Sequence, residues 1–151
     1  MSKPRRIIYP PVWLIIGLVV IFVLKEFVPL THFGGTLATG IGSVVILVGL
    51  ALLVQAGGLF KAAETDMIPF QNVTALVTTG IYKLTRNPMY LGMALVLFGT
   101  SLTVGALAGV FVAPVFMVII EVRFIRPEEE MLRGIFGEEF AAYCQQVRRW
   151  L

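Results

Sequence analysis

From Met89 to Ile120 the chain carries no charged residue, and this run restricts its possible folds more than any other feature. At ~1.5 Å rise per residue it is too long for one helical crossing of a ~30 Å hydrocarbon core. The small and polar patch Thr100 to Gly105 divides it, so it reads as a tight hairpin of two short spans, about 88–102 and 106–122, with Pro114 as a point of kinking in the second. Two more apolar runs precede it. The first, about 12–28, follows the basic stretch Met1 to Arg6 and is closed by Lys25, Glu26 and Pro29, with a turn from Thr31 to Gly35. The second, about 37–60, contains Gly40, Gly42, Gly49, Gly57 and Gly58, small residues that let helix backbones approach closely in lipid. Basic residues ahead of an apolar run also describe a secretory leader. No small-x-small cleavage site follows here and three further spans do, so the run reads as a first transmembrane helix.

Composition agrees with lipid as the solvent. The chain is 58% hydrophobic and 14% charged, against about 45–50% and about 25% for soluble domains. The expected fold is all-α: an integral membrane bundle of four transmembrane helices, an interfacial loop with a short helix over 61–87, and a cytoplasmic amphipathic helical tail, all in one domain over 1–151. In the tail, Met131, Leu132, Ile135, Phe136, Phe140 and Tyr143 recur at helical spacing, and Gly137 separates two short helices.

Charge placement sets the orientation. With four spans, Lys3, Arg5, Arg6, Lys61, Lys83, Arg86 and the five tail arginines fall on one side, and Lys25 on the other. The positive-inside bias therefore puts both termini in the cytoplasm, and the 61–87 loop and the tail on one face. The net charge of +3 lies at the edges of apolar runs rather than in a stripe, which favours the anionic membrane surface over nucleic acid as partner. One cysteine, Cys144, and one histidine, His32, exclude an internal disulfide and any metal site built from several thiolates or imidazoles.

Two clusters on the shared face have chemical potential. In the first, Asn87 and Pro88 are suited to start a helix, Asn by capping free amides and Pro by fitting the first turn. Arg86 beside that positive helix end, with Tyr90 one turn inside, would suit a carboxylate or phosphate. Arg86 snorkelling to headgroups and Tyr90 in an aromatic belt is the plainer alternative. The second cluster is Arg123-Phe-Ile-Arg-Pro-Glu-Glu-Glu130. Acidic residues in a first turn and an exposed Glu129–Arg133 pair would be its plain account. Three carboxylates directly after a span nevertheless need a cation nearby. Facing the first cluster, they could hold an ammonium group or ribose hydroxyls while Arg86 holds an anion, a combination that suits S-adenosylmethionine.

The run Leu76-Val-Thr-Thr-Gly-Ile-Tyr-Lys-Leu-Thr-Arg-Asn-Pro-Met-Tyr-Leu-Gly92 resembles the core motif of the isoprenylcysteine carboxyl methyltransferase and phospholipid methyltransferase superfamily. The tail, Pro127 to Tyr143 with Val147-Arg-Arg-Trp150, is similar to the same group, as is Asp66-Met-Ile-Pro69. The resemblance covers roughly residues 60–151. It implies an integral membrane methyltransferase that uses S-adenosyl-L-methionine on a lipophilic or membrane-embedded acceptor. Carried over residue by residue, it implies a cofactor pocket formed by Arg86, Asn87, Pro88, Tyr90, Gly92, Glu128 and Glu129, with Arg86 and Glu128 as the catalytic pair. The pair is placed at 128–129 among the three glutamates because Phe136-Gly137 then falls at the family's spacing. Asn87 stands where many enzymes acting on prenylated cysteine have histidine, which removes any imidazole role. Two other classes remain open at this point: a nicotinamide-dependent membrane reductase of similar architecture, and a small membrane scaffold that binds no nucleotide-type cofactor.

Overall fold

The computed structural model describes residues 9–28, 34–64 and 73–151. Lys3, Arg5, Arg6, Pro29, Thr31, His32, Asn72 and the Asp66–Pro69 stretch lie outside the described residues. Every regular element among the described residues is helical. Helix α1 spans Pro10–Phe27, where two prolines occupy the first turn, whose amides need no partner within the helix. Helix α2 spans Thr36–Ala62. A 3-10 turn at Gly80–Lys83 supplies the short helix expected over 61–87. Helix α3 spans Pro88–Val104 and stops at Gly105, which adopts φ 70°, ψ 28°, the left-handed cap conformation that glycine enters freely.

After Gly105, one long helical rod runs from Ala108 to Phe136. It opens as a 3-10 turn, Ala108–Phe111, and continues as α4, Val112–Ile120. The change of geometry falls beside Pro114, which cannot donate to the carbonyl of Val110. A π-helical turn at Glu121–Ile125 then leads into α5, Arg126–Phe136. Gly137, at φ +50°, breaks the rod, and α6, Glu138–Gln146, follows. The two tail helices and their glycine break fall where the sequence periodicity put them.

The four-span count is not matched one for one. Among the described residues, three helices are long and apolar enough to cross a membrane, namely Pro10–Phe27, Thr36–Ala62 and Ala108–Phe136. The remaining apolar helix, α3, has 17 residues, or ~25 Å, short of a ~30 Å core. Its setting explains the shortness: α3 packs against α1, α2 and α4 at once, so it occupies the middle of the bundle. Its sequence is accordingly apolar on all sides, as a helix surrounded by protein should be. The expected 106–122 span is instead the start of a 29-residue rod. At ~1.5 Å per residue the rod outreaches the hydrocarbon, and the charged residues from Glu121 onward mark the part beyond it.

Glycines set the closeness of α2 and α3. A Cβ on Gly49 would sit 2.7 Å from the Gly92 carbonyl oxygen, and one on Gly92 equally close to the Gly49 oxygen. Gly42 and Gly99 meet in the same way, the Cβ of an alanine at 99 falling 2.7 Å from the Gly42 oxygen. The two crossings are seven residues apart on both helices and run in opposite directions, so α2 and α3 form an antiparallel pair with a glycine at every second turn. Gly40 and Gly58 of α2 face open space. Elsewhere Ile21 of α1, Leu97 of α3 and Phe116, Ile120 and Ile125 of the rod interlock as one core. Outward-facing residues such as Val19 and Phe22 of α1 and Leu47 and Val54 of α2 stay exposed, as lipid-facing positions do.

Candidate active site

One end of the bundle gathers the start of α1, the end of α2, the start of α3 and the residues beyond Glu121 around a cavity of about 450 Å³. Three structural causes build it. The short central helix ends early and leaves space at its N-terminus. The π turn rotates everything after it by about 100° relative to an unbroken α-helix, and Glu129 thereby points inward. A second small core, Phe140, Tyr143 and Val147 with Leu76, Leu132 and Phe136, folds α6 back over the opening.

Arg86 is held on several sides. Its Nη1 donates to the carbonyls of Cys144 at 3.2 Å and Val147 at 2.8 Å. Its Nη2 donates to Glu129 Oε1 at 2.8 Å, and its buried Nε has no partner among the described residues. Glu129 is in turn gripped by Arg149, whose Nε reaches Oε1 at 3.0 Å and whose Nη2 reaches Oε2 at 2.8 Å. Arg149 Nη1 donates onward to Glu121 Oε1 at 2.9 Å, and Trp150 Nε1 to Glu121 Oε2 at 3.1 Å. Burial alone would raise the Glu129 carboxyl, but the hydrogen bonds from Arg149 and Arg86 outweigh it and hold the group below the usual carboxylate range. Trp150 and then Arg126 do the same for Glu121.

The main chain of the last residues closes the turn before α3. The Arg86 amide donates to the Arg148 carbonyl at 2.9 Å. Thr85 Oγ1 and Asn87 Nδ2 both donate to the Arg149 carbonyl, at 3.1 and 3.0 Å. Asn87 therefore does not cap α3 with its side chain as the sequence suggested; a carbonyl 62 residues later claims the amide group. Pro88 does stand at the first helical position.

Glu128 behaves differently from its neighbour. Among the described residues it makes no ion pair, and it accepts a hydrogen bond from Tyr90 Oη at 3.2 Å. It is half-buried and lines the cavity. Burial pushes its carboxyl up to about 7, the Tyr90 hydroxyl draws it partly back, and the Glu129 charge adds to the rise.

Of the residues named from sequence, Arg86, Asn87, Tyr90, Glu128 and Glu129 line the cavity together. Pro88 and Gly92 are not in its lining; Gly92 faces Gly49 on the opposite side of α3. The plain account of the second cluster, an exposed Glu129–Arg133 pair, does not hold among the described residues, because Glu129 is buried at 8% exposure and turned toward Arg86 and Arg149. Glu130, the third carboxylate, stays exposed. Sequence reasoning missed Arg149, Glu121, Tyr82 and Tyr143. Arg149 lies inside the Val147–Trp150 segment already singled out, so its position was marked although its role was not. Tyr143 donates to the Tyr82 carbonyl at 2.7 Å, and nothing in local sequence connects two residues so far apart.

A profile of the phospholipid methyltransferase family matches residues 30–139. That family lies within the isoprenylcysteine carboxyl methyltransferase-like superfamily. An uncharacterised protein of Haemophilus influenzae is 36% identical over 63 residues, which is 42% of this chain and the whole of that protein. The match takes in the glycine-paired helices, the turn at Arg86 and the glutamates of α5, and the apolar helices agree with a membrane setting. The chain belongs to the phospholipid methyltransferase family.

Proposed function

We propose that this chain is a membrane methyltransferase that moves a methyl group from S-adenosyl-L-methionine to a lipophilic acceptor, with the cavity on the cytoplasmic side. Glu128 carries this reading. Among the described residues it is a carboxylate left without a guanidinium partner, in a cavity where Arg86 and Glu129 pair with each other. A volume of about 450 Å³ falls within the ~300–1,000 Å³ usual for small-molecule sites. Tyr82, Tyr90, Tyr143, Phe60 and Phe140 give it an aromatic wall, against which a flat base or a cation can rest. The donor set thus fits a ligand with a cationic amine, ribose hydroxyls and a planar base.

When bound, the cofactor supplies an electrophilic methyl group on a positively charged sulfur. The chain's own part is to orient and to exclude water. Glu128 holds the ammonium or hydroxyl groups, and Met93, Ile125 and Leu132 keep the surroundings apolar where positive charge is lost. Arg86, bonded through both Nη atoms, acts as a positioning residue that fixes Glu129 and the α6–Trp150 segment about the cavity. The acceptor meets the cavity along its apolar side, formed by Pro10 and Pro11 of α1, Phe60 of α2 and Met89 of α3. Alignment of acceptor and methyl group is the main source of rate in such a site.

The test is calorimetric titration of the detergent-purified protein with S-adenosylhomocysteine, with NADPH alongside. Saturable binding of the former that weakens at least tenfold in Glu128→Gln is expected. Binding of NADPH alone would replace this reading with a reductase, and binding of neither by folded protein would leave a scaffold.

A further inference from the structure

Helix α2 presents two unlike faces. One carries Gly42, Gly49 and Ala56, all buried, and lies along α3. On the opposite side, given 100° of turn per residue, Gly40, Val44, Leu47, Ala51 and Gly58 are exposed. Lipid alone could cover a purely apolar face, but Gln55 makes this one different. It has the sole polar side chain between Ser43 and Lys61, and it is exposed on the same side as Ala51 and Gly58. It makes no hydrogen bond among the described residues. Lys61 marks the end of the span, and Gln55 lies six residues earlier in the chain, ~9 Å further into the membrane. A carboxamide at that depth has amide donors and a carbonyl acceptor that hydrocarbon cannot satisfy. Polar side chains in such positions bond across helix–helix contacts.

We propose that this face of α2 is the contact between two copies of the chain, with Gln55 of each copy bonded to Gln55 of the other. The chemistry selects the occupant. A carboxamide is donor and acceptor at once, so it is complementary to a second carboxamide. Two copies inserted in the same direction are related by a twofold axis along the membrane normal, which sets identical residues opposite each other. The small residues Gly40, Ala51 and Gly58 then let the two backbones come close enough for the Gln55 side chains to meet. Gly49 and Gly92 bring α2 and α3 together in the same manner within one chain. A Cβ on Gly40 or Gly58 would meet nothing within 4 Å, so neither glycine serves packing inside the chain. No residue of this face lines the cavity, and the proposal stands apart from the methyltransferase reading.

The test is energy transfer between donor- and acceptor-labelled copies of the full chain in phosphatidylcholine vesicles. The signal should saturate and then fall as lipid dilutes the protein. Gln55→Leu should weaken association roughly three- to thirtyfold, the range for an interhelical polar contact in lipid. Gly58→Leu should weaken it as well, by holding the backbones apart. Monomers at every dilution, or equal association in Gln55→Leu, would overturn the proposal. Should Gln55→Leu fail to fold, crosslinking with Gln55 retained gives an independent measurement. Cys144 is the chain's only cysteine, so Cys144→Ser supplies a clean background. In it, Ala51→Cys should give disulfide-linked dimers on oxidation, whereas Val19→Cys, on the exposed side of α1, should not. No crosslinking at position 51, or equal crosslinking at the two positions, would overturn the contact.

Discussion

Replacing Glu129 with alanine withdraws a carboxylate shared by two arginines. Three hydrogen bonds of 2.8–3.0 Å disappear, and two guanidinium groups lose a counter-charge. The partners are unequally placed. The Arg86 side chain is 13% exposed, and although its two carbonyl partners remain, neither carries charge. Arg149 is 33% exposed and still has Glu121, so water and a second carboxylate compensate it. Removing one partner of a buried ion pair costs about 3–5 kcal/mol. Since only Arg86 is truly stranded, the expected cost of Glu129→Ala is at the lower end, about 3 kcal/mol. For a chain of this size that is a melting-temperature drop of roughly 6–12 °C, measurable by circular dichroism in detergent. Arg126→Ala is the comparison, since it breaks a pair in which the arginine is 60% exposed and should cost no more than ~1 kcal/mol. If the loss comes from a stranded guanidinium, then Glu129→Ala combined with Arg86→Met should be less damaging than the two changes summed, by ~0.5–3 kcal/mol. Equal melting of Glu129→Ala and Arg126→Ala, or strict additivity in the double variant, would refute the claim that this network is a buried, interdependent unit.

Three further outcomes follow from other parts of the structure. The Glu128 carboxyl, raised to about 7 from an ordinary value of 4.5, binds a proton more tightly in the folded chain; its contribution therefore favours folding at low pH and declines as pH rises from 4.5 to 7. Affinity for a cationic ligand should climb over pH 6 to 8 as Glu128 ionises, and Glu128→Gln should flatten both profiles; an unchanged profile in that variant would assign the titration to another group. Gly92→Ala should force α2 and α3 apart against a contact of 2.7 Å and lower the melting temperature, whereas Gly40→Ala, facing open space, should be neutral or slightly stabilising by helix propensity. Thr85→Val should cost about 1–3 kcal/mol, because the Asn87 amide and the Arg149 carbonyl, both bonded to a hydroxyl that is 1% exposed, would be left without it; unchanged denaturation would rule that bridge out as a support.

Features governed by neighbours in sequence were legible before any coordinates. The apolar runs, the Pro88 start, the Gly105 break and the Gly137 break all follow from local chain chemistry, and each falls within a few residues of its expected place. What could not be read depends on rotation and on distant partners. Whether Glu129 faces Arg133 or the interior turns on the π turn at Glu121–Ile125, and no residue type in that segment demands one. Asn87 has the composition of a cap, yet the Arg149 carbonyl competes for its amide group and wins. Gly92 was placed in the cofactor pocket by the resemblance, whereas its space is filled by the backbone of Gly49. In each case the residue mattered and its partner was the unreadable part, because backbone carbonyls carry no sequence signature.

The carbonyls of Val147, Arg148 and Arg149 that complete the bonding of Thr85, Arg86 and Asn87 also set an order of events during biosynthesis. Apolar helices can enter the bilayer as each leaves the ribosome, with every backbone group satisfied internally. The turn ahead of α3 cannot, since its partners are made more than sixty residues later. Until they emerge, Arg86 has only Glu129 and the Cys144 carbonyl to hold it. Membrane insertion and construction of the cavity are therefore separate in time. A chain cut short ahead of Val147 would be inserted and helical, yet the turn ahead of α3 would lack the carbonyls that bond Thr85 and Asn87 and the Arg86 amide.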